Sequence, residues 1–136
     1  MPDANARAER GAAYMATLDP GLEGALRKGI APIAPDFADM MVEFGYGEMM
    51  SRPGLDPKSR QFVTLGALAA LGHPVDQLKG HINGALSVGI TPAEIVEALM
   101  QIAIYAGFPA ATNALRVAKR VFADRGVSPL PDTGEN

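Results

Sequence analysis

The prolines of this chain sit where helices can begin, and that punctuation constrains the fold more than any other feature. Proline is tolerated at the first helical position, because the amide hydrogen it lacks would be unpaired there anyway. Thr91-Pro92-Ala93-Glu94 has the form of a capping box: the threonine hydroxyl can accept from the backbone three residues on, while the glutamate reaches back. Asp19-Pro20 and Asp56-Pro57 put a carboxylate before such a proline, and Ala34-Pro35 and His73-Pro74 are weaker forms. Stops are legible too, with Gly89 after Val88 and Gly107 after Ala106. The pattern predicts helices near 5–17, 20–30, 35–48, 57–71, 74–88, 92–106 and 109–125. No run alternates with period two, so no sheet is expected.

Faces follow from spacing. The run Phe62 to Gly72 is apolar nearly all round, which predicts a central helix buried on most sides. In 92–106, Ile95, Leu99, Ile102 and Ala106 form one stripe of a half-buried helix. The length of 136 residues suits a single domain over 1–125, followed by a Pro/Gly-rich polar tail over 126–136 expected to be poorly ordered. Within that tail, Leu130-Pro131-Asp132-Thr133-Gly134 matches a sortase pattern; with only Glu135 and Asn136 after it, a chance match is the expectation.

Composition excludes several classes. A net charge of −3 without a basic patch argues against nucleic acid as a partner. The chain has no cysteine, which removes disulfides, thiolate metal sites and a thiol redox cycle of its own. The polar start MPDANARAER lacks an apolar stretch and is not expected to act as a secretory signal, and the longest apolar run is too short to span a bilayer. A cytoplasmic location and no membrane partner are the expectations.

Among residues that could carry chemistry, His81 comes first. Leu78, Ile82 and Ala85 recur at helical spacing, and His81 lies between them on the same face. An imidazole aimed into a core must find partners or lose about 1–3 kcal/mol. It is either a satisfied core histidine or a general acid/base, for which its ordinary pKa is well placed. His73 and Gln77 precede it by eight and four residues and would share its face if the helix began that early. They are substrate-binding candidates; a metal is not expected, because glutamine ligates poorly. Arg52, in a loop, and Arg60, in the first turn of an apolar helix, offer planar forks for a carboxylate, or are surface charges or ion-pair partners of Asp56. Glu48, ending helix three, can bind substrate or pair with a cation. Tyr105, beside the Gly107 break, can reach a cavity or pack in the core. The chain has no phosphate loop, nucleophile elbow or clear triad.

The order of these pieces resembles a known family. Ser51-Arg52-Pro53-Gly54-Leu55-Asp56, Arg60 and Thr64-Leu65-Gly66-Ala67-Leu68-Ala69-Ala70-Leu71-Gly72 are followed by His81, Ala85, Gly89, Thr91, Glu94-Ile95, Glu97 and Gln101. Ile104-Tyr105-Ala106-Gly107-Phe108-Pro109-Ala110-Ala111 closes the pattern. It is similar to the carboxymuconolactone decarboxylase signature over roughly residues 36–122. The resemblance implies an all-α, alkylhydroperoxidase D-like bundle of six to seven helices, assembled into homotrimers or homohexamers. The peroxidase branch uses a CxxC pair ahead of the matching histidine. Those two positions are Pro74 and Gln77 here, so that cycle is closed to this chain.

What the resemblance leaves is cofactor-independent decarboxylation of a small carboxylated lactone or aromatic-derived ring, as in aromatic catabolism. By that resemblance Arg52 or Arg60 anchors the carboxylate and His81 shuttles the proton; Tyr105 is a further catalytic candidate from its place beside the Gly107 break. Neither cofactor nor metal is implied. The family's decarboxylases usually carry Trp-Gly-x-x-Trp where this chain has Tyr46-Gly47-Glu48-Met49-Met50, and Glu-Leu where it has Gln77-Leu78. Their N-terminal Arg-x-x-Val-Leu-Gly segment has no counterpart in Arg10-Gly11-Ala12-Ala13. The alternatives are an acid/base isomerase or cyclase on the same scaffold, or a non-catalytic binding or assembly protein.

Overall fold

The structure, a computed structural model, describes residues 3–134. The first two residues of the expected domain and the last two of its tail lie outside them. All regular structure among the described residues is helical: α1 (Ala4–Leu18), α2 (Leu22–Ile30), α3 (Pro35–Met40), α4 (Pro57–Leu71), α5 (Val75–Ser87), α6 (Pro92–Ala106) and α7 (Phe108–Arg125). A π-helical segment, Met41–Met50, continues α3 without a break. The all-α expectation holds, and helix boundaries fall close to those read from the prolines and glycines. The chain divides into two compact units, Met1–Pro57 and Lys58–Asn136.

In the first unit, α1 lies along the π-helical segment. The approach is close enough that a Cβ on Gly11 would collide with the carbonyl oxygen of Val42, and one on Gly47 with that of Arg7. Two glycines facing each other therefore let the backbones meet. Arg10 Nε donates to the Gly47 carbonyl at 3.1 Å, and Met15, Leu18, Ala38 and Val42 are buried. Arg27 of α2 bridges Glu23 at 3.0 Å and Asp39 of α3 at 2.8 Å.

In the second unit, α7 packs on α6 and on α5. The core joins Leu65 and Ala69 of α4, Leu78 and Ile82 of α5, Ile95 and Leu99 of α6, and Val117 and Val121 of α7. Each large apolar side chain buried this way contributes roughly 1.5–3 kcal/mol. The capping box of α6 forms as the sequence indicates. Glu94 N–H donates to Thr91 Oγ1 at 3.1 Å, and Thr91 N–H donates to Glu94 Oε1 at 3.0 Å. Those bonds hold the Glu94 carboxyl below its ordinary range. Gly107 alone joins α6 to α7, at φ 93°, a conformation open to glycine and strained for other residues.

Two expectations differ from what is seen. The helix expected to be buried on most sides, α4, buries only one stripe within this chain, Gln61, Leu65 and Ala69; Val63 and Leu71 are exposed. Being apolar all round, its sequence did not reveal which side the core would take. The helix carrying His81 starts at Val75, so His73 precedes it and shares no helix face with Gln77 and His81. Proline at position 74 lies just before that start, and Val75 N–H is tied to the His73 carbonyl at 2.9 Å. Residues 127–134 carry no helix, and Leu130 is exposed.

Candidate functional site

The second unit holds the chemistry around His81. On α5, Leu78, Ile82 and Ala85 are buried as their spacing requires, and His81 beside them is half-buried. Its Nδ1 lies 3.1 Å from Oε1 of Gln61, twenty residues earlier on α4. Burial lowers the pKa of His81 below its ordinary value of 6.5, so the ring is neutral at neutral pH. It is thus both embedded and partnered.

Sequence reasoning missed Gln61. It is fully buried, the one polar residue among the largest buried side chains. Its Nε2 has no hydrogen-bond partner among the described residues, a burial that costs on the order of 1–3 kcal/mol. A signal was available. Gln61, Leu65 and Ala69 recur at four-residue spacing, so a polar side chain occupies the stripe that the core later claims.

Arg60 is half-buried on α4, immediately before Gln61, with its Nε atom buried. Gln77 and His73 are both exposed. Tyr105 is 86% exposed on α6, turned outward rather than into the core. An open cavity of about 740 Å³ lies between α4 and α6, lined by Phe62, Gly66, Ala98 and Ile102 with Glu97 and Gln101. Neither His81 nor Arg60 belongs to that lining, so this cavity does not include the imidazole.

The other two site candidates lie in the first unit. Arg52 is exposed in the loop after the π-helical segment and lines an open cavity of about 460 Å³ with Arg10, Tyr14, Ser51 and Asp56. Glu48 sits 3.9 Å from Arg7, which is equally far from Glu43. Tyr46 of the π-helical segment lies tilted against Tyr14 with ring centroids 6.2 Å apart. Burial first, then Tyr14, pushes its phenol pKa up, so it is a neutral hydrogen-bonding group.

Comparison with known proteins agrees with this helical frame. The carboxymuconolactone decarboxylase family matches over residues 35–120, more than half of the chain. The chain belongs to the carboxymuconolactone decarboxylase family. Its relatives include the 4-carboxymuconolactone decarboxylase of Acinetobacter baylyi, 38% identical over 94 residues covering 69% of each chain. The nitrosuccinic acid decarboxylase of Metarhizium robertsii is 33% identical over 114 residues, 84% of this chain and 75% of that one. An uncharacterised 15.0 kDa protein of Paracoccus denitrificans is 33% identical over 107 residues, covering 78% and 80%. Two of these three family relatives are named as decarboxylases, and the assignment of this chain as an enzyme of that kind rests on them. The match spans α3 to most of α7, and so includes both His81 and the Gln61 that holds it.

Proposed function

We propose that the protein is a cofactor-independent decarboxylase of a small carboxylated lactone or aromatic-derived ring, with His81 as the proton carrier. The observation that carries the reading is the neutral, half-buried imidazole held by a buried amide, in a chain whose relatives are named for decarboxylation. Loss of CO2 breaks a carbon–carboxylate bond and leaves an electron pair on carbon. That pair must be accepted by an adjacent electron sink, such as a lactone carbonyl, and then a proton must be delivered. An imidazole with a lowered pKa is, once protonated, a stronger acid towards carbon than a free one. It regains its proton from solvent between turnovers.

Arg60 is the proposed carboxylate anchor on α4, and Arg52 the second candidate; a guanidinium can bind the departing carboxylate by two parallel hydrogen bonds. Tyr105, Glu48, Gln77 and His73 are proposed only as residues that complete a substrate pocket. We place the enzyme in the cytoplasm and in aromatic catabolism, as a homotrimer or homohexamer without nucleic-acid or membrane partners. The exposed apolar side chains on α4 and α6 support self-association.

The test is CO2 release from 4-carboxymuconolactone and, in parallel, from nitrosuccinate. His81→Ala is expected to keep its helical circular dichroism and lose about 10²- to 10⁴-fold in kcat. Normal turnover by His81→Ala would end the assignment. Failure of the wild type on both acids would favour isomerase or cyclase chemistry on the same scaffold. Arg60→Gln and Arg52→Gln, compared for KM, identify the anchor.

A further inference from the structure

Among the described residues the Gln61 side chain has one hydrogen-bonding neighbour, His81, and its geometry dictates more about that ring than the proposed reaction requires. The amide oxygen has no hydrogen to give. With Oε1 at 3.1 Å from Nδ1, the hydrogen between them must sit on Nδ1. The other end of the amide, Nε2, has no partner among the described residues, so no second bond competes with the imidazole in orienting it. Gln61 is fully buried and cannot swing into solvent. A neutral histidine left to itself favours hydrogen on Nε2; the arrangement here imposes the opposite tautomer.

We propose that Gln61 is a positioning residue that locks His81 as the Nδ1–H tautomer, so that Nε2 alone takes up and delivers the proton. The role deepens the reading of His81 as a proton carrier. Its structural half, the tautomer, stands or falls without any substrate.

The choice of an amide matters chemically. An amide oxygen accepts the Nδ1 hydrogen both from the neutral ring and from the imidazolium, so the ring stays oriented through a full cycle of protonation at Nε2. It does this without a counter-charge. A carboxylate in the same place would hold the hydrogen but also favour the charged ring, keeping the proton that the reaction must release. The charged residues on the two helices that carry the pair are Lys58, Arg60, Asp76 and Lys79, and all but Arg60 are exposed. Burial is the cause of the lowered pKa of His81, and an amide neighbour leaves that effect in place.

The chain has two histidines, His73 and His81, which makes the measurement direct. Long-range proton–nitrogen correlation spectra of the ligand-free protein distinguish the two tautomers, with His73→Gln used to assign the signals. The expected result is an Nδ1–H ring for His81 above its titration. In Gln61→Met, which keeps the volume and removes the acceptor, the ring is expected to revert to Nε2–H. In Gln61→Glu the Nδ1–H ring is expected to persist. Its titration midpoint should rise by about one to three pH units, and the pH–rate profile on any confirmed substrate should move with it. A predominantly Nε2–H ring in the wild type overturns the proposal, because the amide then faces His81 with its nitrogen. An unchanged tautomer in folded Gln61→Met, or an unmoved midpoint in Gln61→Glu, overturns it as well. Loss of catalysis in His81→Ala with none of these spectral changes would separate the failure of this role from that of the decarboxylase reading.

Discussion

At the scale of single residues, His81 sets both a chemical and a thermodynamic expectation. Its pKa is lowered in the folded protein, whereas the unfolded chain keeps the ordinary value of 6.5. Above that value both states are neutral and the ring contributes no pH dependence. As pH falls below it, the unfolded chain binds the proton first, and the fold is progressively disfavoured until the folded ring also protonates. Stability is therefore expected to rise with pH through the window just below 6.5. The slope should flatten in His81→Gln, as read from urea midpoints at a series of pH values. His81 was legible in the sequence because helical spacing put it on the stripe of Leu78, Ile82 and Ala85. Its partner was not. Gln61 opens an apolar run, and only the packing of α4 decided that the stripe through Leu65 and Ala69 would turn inward and take the glutamine with it.

At the scale of elements, the helix starts were readable because capping is local chemistry, decided within four residues. The capping box at Thr91 and Glu94 is the clearest case. Thr91→Ala should cost about 1 kcal/mol of stability, measured as a lower urea midpoint with an unchanged slope. The π-helical segment was not readable, for the opposite reason. Residues 35–48 scan as one ordinary helix, and what the sequence does not announce is the close seat of α1 upon it through Gly11 and Gly47. Non-local packing of that kind has no signature in periodicity. It does make a signed prediction. Gly47→Ala would drive a methyl group into the carbonyl of Arg7 and should destabilise by roughly 1–3 kcal/mol, as overpacking does. Gly24→Ala, in α2 with open space around it, should stabilise by up to about 1 kcal/mol through helix propensity. Thermal or urea melts of the two variants should move in opposite directions.

For the whole molecule, the apolar surface is the remaining constraint. In the second unit Val63 and Leu71 on α4, Met100, Ile104 and Tyr105 on α6, and Phe108 at the start of α7 are all exposed, Ile104 and Phe108 by more than three-quarters. Scattered exposed leucines are unremarkable in soluble proteins, but large side chains gathered at the junction of two helices are costly to leave in water. The all-round apolar sequence of α4 makes sense if one stripe serves the chain's own core and the rest is covered by further copies. Light scattering behind size exclusion should therefore give a multiple of the 14.2 kDa chain mass, three or six times if the family resemblance extends to assembly. Ile104→Glu paired with Phe108→Ser should shift the population to smaller species while the helical signal stays. If the wild type runs as a monomer at micromolar concentration, the exposed faces of α4 and α6 serve something other than self-assembly. If the double variant dissociates and also loses turnover on a confirmed acid, assembly is part of the active enzyme, and Tyr105, exposed in the single chain, would then reach a pocket only through a neighbouring copy.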